Sequence, residues 1–139
     1  ARYGIHGIET LFTVMGTGCT SVNRMSSEGT DVVVGLWDDG RIGTVRGART
    51  GKAPYGGNAV TDQGVVSTGV YEGYEPLLKE ILNFFKTRIP PVTEKETLEI
   101  FTFIEAADIS KSKGGKIISM DATYHKGMKE AQKLIRKLK

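Results

Sequence analysis

His6 and Glu9 are the two residues near the N-terminus whose types and spacing could support proton transfer. They are three positions apart, and on a helix this spacing brings an imidazole and a carboxylate to the same side. The carboxylate could then orient the ring and raise its basicity, as a general base requires. Because pairs at this spacing are common on helices, the spacing by itself favours a structural histidine in a first helical turn.

Nucleotide-binding and nucleophile motifs are incomplete in this chain. Gly16-Thr17-Gly18 begins like a dinucleotide fingerprint, but Ser21 occupies the position of the third glycine, and the segment follows a predicted helix. Gly51-Lys52 resembles the end of a phosphate-binding loop, but Ala53 replaces the Ser or Thr that would bind magnesium. Cys19 has no neighbouring sequence partner that marks a thiolate nucleophile, so we expect it to be inert.

Composition narrows the classes of protein further. One cysteine and two histidines leave no cluster for a structural zinc site and no internal disulfide, so we expect no bound metal. The segment Lys126–Lys139 holds six cations against one carboxylate, whereas the remainder of the chain is slightly acidic. Since this segment has no interleaved aromatic residues, we expect a solvated helix face and no nucleic-acid binding.

The uncharged stretch Thr10–Asn23 is too short to form a membrane helix, so we expect no membrane contact. A cytoplasmic location is the expectation, with export of the parent protein left open. The length and the ordinary balance of apolar and charged residues predict a single domain over residues 1–139.

Apolar periodicity and turn residues predict the order of the elements. A mobile loop is expected between Gly47 and Asn58, and the sheet is expected to have four or five strands. The predicted elements are a helix over Tyr3–Met15, strands over Cys19–Ser27, Asp31–Asp38, Arg41–Ala48, Ala59–Thr61 and Val65–Tyr71, helices over Glu75–Arg88 and from a capping box at Thr93 and Glu96 to Gly114-Gly115, a short strand over Lys116–Met120 and a last amphipathic helix. This order predicts an α+β fold, with a two-layer arrangement of a mainly antiparallel open sheet and helices packed on one face.

Asp39-Gly40 predicts a two-residue hairpin turn, which places Asp38 opposite Arg41. In that register one face is aliphatic and suited to packed helices, with the pairs Leu36/Gly43, Val34/Val45 and Val32/Gly47. The other face suits a partly wet pocket or a subunit contact, with the pairs Trp37/Ile42, Gly35/Thr44 and Val33/Arg46.

Three separated blocks resemble the C-terminal half of Gfo/Idh/MocA-type oxidoreductases: Tyr3–Gly16, Asp31–Gly47 and Pro90–Lys111. The resemblance extends to about Met120. It implies a C-terminal α+β domain of an enzyme whose N-terminal Rossmann domain, absent from this chain, binds NAD or NADP. We therefore expect no cofactor bound by this chain alone.

The resemblance implies that His6 matches the family's active-site histidine, which helps deprotonate a sugar or polyol hydroxyl while hydride leaves for the nicotinamide. Arg2 stands where many members have an aspartate, and Glu9 could orient His6 instead. Tyr3, Glu9 and Arg46 are weaker candidates for orienting the histidine or the substrate, and Arg46 is included because the predicted register puts it on the Trp37 face.

Two functions follow as hypotheses. The first is a substrate-binding and oligomerisation domain of an NAD(P)-dependent oxidoreductase acting on a sugar-like or cyclitol alcohol, with a homo-oligomer formed through the open sheet face that bears Val33, Trp37, Ile42 and Thr44. The second is a non-catalytic binding or assembly module with the same fold, which Arg2 in place of aspartate favours.

Overall fold

The computed structural model describes residues 4–51, 55–68 and 73–138. The elements in these ranges follow the predicted order, with the short last strand joining the sheet as expected. They are α1 (Gly4–Met15), β1 (Cys19–Ser26), β2 (Thr30–Trp37), β3 (Ile42–Ala48), β4 (Gly57–Thr61), β5 (Gly64–Thr68), α2 (Glu75–Thr87), α3 (Glu94–Ser112), β6 (Ile118–Ser119) and α4 (Met120–Lys137).

The main sheet has four antiparallel strands in the order β3-β2-β1-β6. Helix α1 packs against β3 and α3 packs against β1, while the start of α4 contacts α3, β1 and β6. The predicted fold class is therefore confirmed: the chain is an α+β domain with an antiparallel open sheet and helices packed on one face.

The helix ends follow the predicted capping residues. Helix α1 stops at Gly16, which has a φ of 71° and whose N–H donates to the carbonyl of Phe12 at 2.7 Å. A residue with a side chain would be strained in this left-handed conformation. Helix α3 begins after Thr93, whose hydroxyl accepts a hydrogen bond from the N–H of Glu96 at 3.1 Å. That bond satisfies a donor that the helix itself leaves unpaired.

The register of the β2–β3 hairpin differs from the prediction by one residue. The loop holds three residues, Asp38–Gly40, so Leu36 pairs with Ile42 instead of Gly43. The N–H of Gly40 donates to the carbonyl of Trp37 at 3.0 Å, and Gly40 has a φ of 87°. This is the three-residue hairpin loop that ends in a left-handed residue. Because side chains alternate along a strand, the slip moves every β3 residue to the other face relative to β2.

The face that carries the helices is the one that contains Trp37, so the predicted wet pocket or subunit contact at Trp37 is wrong. The indole is 1% exposed, contacts Phe12 and Phe103 with ring centroids 5.6 and 6.4 Å away, and donates to the carbonyl of Gly16 at 3.0 Å. A Cβ at Gly35 would lie 2.8 Å from the indole, and one at Gly43 would lie 3.0 Å from it. These two glycines provide the space that the indole fills beneath α1 and α3.

The opposite face of the sheet is open, and its composition differs from the predicted one. Val33 and Trp37 are buried on the helix face, whereas Ile42 and Thr44 are exposed on the open face together with Leu36. The open face therefore presents aliphatic side chains of β2 and β3 but no tryptophan.

Strands β4 and β5 pair only with each other, so the prediction that they extend the main sheet is wrong. No described residue between Arg49 and Glu99 is buried. Helix α2 forms where the apolar periodicity predicts a helix, but it packs closely against no described element. The predicted continuation of β5 through residues 69–71 and part of the predicted mobile loop, residues 52–54, lie outside the described residues.

A buried carboxylate on β2 joins β1 to the residue that follows β3 at one end of the sheet. Asp31 on β2 accepts hydrogen bonds from the Ser26 hydroxyl at 2.5 Å and from the Arg24 Nε at 3.2 Å, and it also forms an ion pair with Arg49. Burial raises the pKa of the Asp31 carboxyl, but the hydrogen bonds and the two positive charges outweigh it and lower the pKa to about 2. Asp31 is therefore ionised at neutral pH.

Candidate functional site

Helix α1 packs against the edge strand β3 and carries His6 near its start. Ile8 and Phe12 anchor the helix because they are its buried residues. Gly7 lets the helix approach the sheet closely, since a Cβ at this position would lie 3.0 Å from the Cγ1 of Val45 on β3. The buried side of α1 and the close contact at Gly7 together fix the direction in which His6 leaves the helix.

His6 and Glu9 form the predicted pair. The Nδ1 of His6 is 3.1 Å from the Oε2 of Glu9, and both side chains are about half exposed, at 53% and 51%. A carboxylate at Nδ1 favours the tautomer that donates from Nδ1, which leaves Nε2 with a lone pair. In that tautomer Nε2 is the ring nitrogen that accepts a hydrogen bond. The pair has the geometry of an oriented general base.

Tyr55 is a neighbour of His6 that the spacing of residues in the sequence does not predict. The centroids of the two rings are 6.0 Å apart, and the ring planes cross at 83°. Tyr55 lies two residues before β4, in the loop after β3, so the close approach joins positions 49 residues apart in the chain. The only signal in the sequence is an aromatic residue within a glycine- and proline-rich loop.

Of the other predicted site residues, Arg46 is described by the structure and does not join this pair. Tyr3 lies outside the described residues, as does Arg2. Arg46 pairs with Val32 in the observed register, which puts it on the open face of the sheet, away from α1. The prediction that Arg46 shares the Trp37 face is wrong, for the same reason that the hairpin register is wrong.

The described residues do not fit a dinucleotide at Gly16-Thr17-Gly18. The Oε1 of Glu99 accepts hydrogen bonds from the N–H groups of Gly18 at 2.6 Å and Cys19 at 2.7 Å. A pyrophosphate would need such N–H groups, and it would be repelled by the carboxylate that already binds them. The thiol of Cys19 is buried, and this burial raises its pKa to about 12, so it stays protonated at neutral pH.

Two open clefts lie elsewhere on the domain, and His6 lines neither of them. One cleft, of about 570 Å³, runs between the first turns of α3 and α4 and includes Glu99, Leu98 and Tyr124. The other, of about 500 Å³, lies at the C-terminal end of α3 beside Asn23 and Arg24. The described part of the His6 site is formed by α1 and by the loop before β4, and the His6 side chain there is half exposed.

No cluster of three or more His, Cys, Asp or Glu side chains among the described residues could hold a metal ion. None of the described helices combines the length and the apolar character needed to cross a membrane. Comparisons with family models, with curated proteins and with solved structures give no match for this chain. Because the comparisons give no match, a function can be proposed only from the residues of the chain, and we base it on the contacts of His6.

Proposed function

We propose that this chain is the substrate-binding and oligomerisation domain of an NAD(P)-dependent oxidoreductase acting on a sugar-like or cyclitol alcohol. The observation that carries the proposal is the contact of 3.1 Å between His6 Nδ1 and Glu9 Oε2 at the half-exposed start of α1. The sequence resemblance supports it, because His6 matches the position of the histidine that acts on the hydroxyl in Gfo/Idh/MocA-type enzymes.

In this proposal His6 takes the hydroxyl proton of the alcohol on Nε2, and Glu9 holds the ring through Nδ1. The half-exposed imidazole can then release the proton to water. Cofactor binding is assigned to a domain outside this chain, because Glu99 already binds the Gly18 and Cys19 N–H groups. The chain by itself should accordingly show no saturable binding of NADH in a fluorescence titration.

The decisive experiment uses the complete protein, including the nucleotide-binding domain that the proposal requires. His6→Ala should lower kcat by about 10²- to 10⁴-fold, which is the usual contribution of a general base. Glu9→Gln should lower kcat less, and its effect should largely vanish in the His6→Ala background, because the two residues act as one unit. Melting temperatures measured in parallel should stay unchanged, since both side chains are half exposed. Full turnover by His6→Ala would overturn the proposal.

A non-catalytic binding or assembly module is the alternative. It is favoured by Arg2, which replaces the aspartate of many family members, and by the position of His6 outside both open clefts. The two functions differ in one measurable respect: only the oxidoreductase requires a nucleotide-binding unit with an intact glycine fingerprint in the same protein. A complete protein that lacks such a unit would support the module.

Association through the open sheet face is part of both functions. Leu36 and Ile42 are exposed there, at 42% and 65%, and the half-buried Val32 and Val34 lie on the same face. Burying such a patch against a second copy would be favourable. Ile42→Glu should therefore convert an oligomer to a monomer in light scattering, whereas Val60→Glu, on the separate β4–β5 hairpin, should leave the oligomer intact. A wild-type protein that stays monomeric at high concentration would contradict this association.

A further inference from the structure

Helix α4 continues well past the body of the domain. Its start contacts α3, β1 and β6 and contains the two buried residues of the helix, Met120 and Thr123. Every residue from Tyr124 to Leu138 is exposed. We call residues 124–138 the α4 arm. The sequence resemblance ends at about Met120, so it implies nothing about this segment.

The α4 arm is amphipathic. Its apolar side chains recur at three- and four-residue intervals, which places them on one face of the helix. They are Met128, Ala131, Leu134, Ile135 and Leu138, and the four large ones are between 38% and 87% exposed. The rest of the arm carries five cations, namely Lys126, Lys129, Lys133, Arg136 and Lys137, against the single carboxylate Glu130. Among the described residues only Lys126 of these cations forms an ion pair, at 3.9 Å from Glu130. The arm therefore exposes an apolar stripe beside a concentrated positive charge.

The kind of surface that covers the stripe can be argued from this charge. A second copy of the arm would bring another excess of positive charge close to the first, which is unfavourable. A nucleic acid would neutralise the cations but leave the apolar stripe in water. A protein groove is a poor match because protein interfaces are depleted in lysine, and four of the five cations are lysines. Lysine is a flexible point charge, which suits a diffuse negative surface better than a fixed partner.

An anionic lipid surface satisfies both faces of the arm. We propose that the α4 arm lies in the plane of such a surface, with Leu134 and Ile135 at the acyl boundary and its lysines at the headgroup phosphates. The expectation of no membrane contact came from the length of an uncharged stretch, so it concerns a helix that spans the bilayer. A helix that lies on the surface needs an apolar stripe and a cationic face instead, and the arm has both.

The test is flotation of the chain with vesicles made of equal parts of phosphatidylglycerol and phosphatidylcholine, compared with vesicles of phosphatidylcholine alone. The chain should bind the anionic vesicles more tightly. Raising NaCl from about 0.1 M to about 1 M should weaken that binding, because it shortens the screening length from ~10 Å to ~3 Å. Leu134→Glu should weaken binding roughly ten- to hundredfold, since it removes the burial of one leucine side chain. Leu82→Glu is the matched control on α2, at a leucine that is 59% exposed against 62% for Leu134, and it should have no effect.

A second pair of variants tests the charge of the arm. Lys129→Glu combined with Lys133→Glu should weaken binding to the anionic vesicles roughly tenfold or more. Lys86→Glu combined with Lys113→Glu changes the net charge of the chain by the same amount outside the arm, and it should have a smaller effect. Because these four lysines and Leu134 are exposed, all variants should keep the melting temperature of the wild type.

Four results would overturn the proposal. The first two are no binding of the wild type to the anionic vesicles and equal binding by Leu134→Glu and the wild type. The third is a lower molar mass of Leu134→Glu in light scattering, which would show that a second copy covers the stripe. The fourth is binding of a single-stranded oligonucleotide in place of the vesicles with no effect of Leu134→Glu, which would assign the cations to nucleic acid. None of these measurements depends on the activity of His6, so this proposal and the proposed function can fail separately.

Discussion

Two regions of this chain have similar apolar patterns and very different packing. The sheet body, which consists of α1, β1–β3, β6, α3 and the first turn of α4, contains every buried residue of the described ranges. The outer region, which consists of β4, β5 and α2, contains none. Apolar periodicity therefore predicts which element forms. The element adds to the stability of the fold only where another element of the chain packs against its apolar face.

The outer region should be marginal by itself. A two-stranded hairpin and a helix of 13 residues are each near the limit of stability in water when they bury no apolar face. The apolar stripe of α2 consists of Leu77, Leu78, Ile81, Leu82, Phe84 and Phe85. Four of these six residues are more than half exposed, Ile81 is 39% exposed, and Phe84 is half-buried. The sheet body, in contrast, has a continuous core and should unfold as one unit.

The largest difference between the regions should appear when the same residue type is truncated in each. Phe103→Ala removes a fully buried ring that contacts Phe12 and Trp37, and it should lower the free energy of unfolding by about 3–5 kcal/mol. Phe85→Ala, at a ring that is 61% exposed, should change it by less than about 0.5 kcal/mol. Urea unfolding followed by the fluorescence of Trp37, the single tryptophan, measures both. Equal losses would show that the two regions form one core.

A smaller contrast lies within the sheet body. A Cβ at Gly35 would lie 2.7 Å from Phe103 and 2.8 Å from Trp37, so Gly35→Ala should destabilise the body by about 1–3 kcal/mol. Gly47→Ala on β3 meets nothing within 4 Å and should leave stability unchanged or raise it slightly, because it restricts the unfolded chain. Thermal unfolding of the two variants tests whether the indole fills the space beside Gly35. A stable Gly35→Ala protein would contradict this packing.

These glycines also show what the sequence could and could not predict. Alternation and Asp39-Gly40 correctly predict a hairpin, but a loop of three residues instead of two inverts the faces of β3. The carboxylate of Asp39 binds the backbone N–H of Arg41 at 3.0 Å within this turn, a contact that turn composition alone does not specify. Gly35 and Gly43 lie on either side of Trp37 in the hairpin sequence, and small residues near a large ring are a sequence signal for its close packing.

The candidate site also has one part that the sequence predicts and one part that it does not. The His6–Glu9 pair was predictable because it depends only on helical spacing. Arg46 and Tyr55 were not predictable, because their positions depend on the hairpin register and on the path of the loop before β4. Local periodicity contains no information about contacts between residues far apart in the chain.

A prediction of intermediate size concerns pH. Asp31 has a folded-state pKa of about 2, below its ordinary value of 3.8, so its carboxylate stabilises the folded state above the ordinary value. This contribution of about 1–2 kcal/mol should be lost as the pH falls through the folded-state pKa. Chemical unfolding measured from above the ordinary pKa down to the folded-state pKa should show this loss of unfolding free energy in the wild type. The loss should be smaller in Asp31→Asn. Glu75→Gln, which removes an exposed ion pair with Lys79 in the outer region, is the control and should leave the profile unchanged.

The smallest effect on the sheet body should come from strengthening the outer region. Arg88 follows α2 with a φ of 62°, a left-handed conformation that costs a residue with a side chain about 1 kcal/mol and costs glycine much less. Arg88→Gly should therefore increase the protection of α2 amides from hydrogen exchange. It should leave the unfolding midpoint reported by Trp37 unchanged, because α2 packs closely against no described element. A rise in that midpoint would show that α2 is coupled to the core and that the outer region shares its stability.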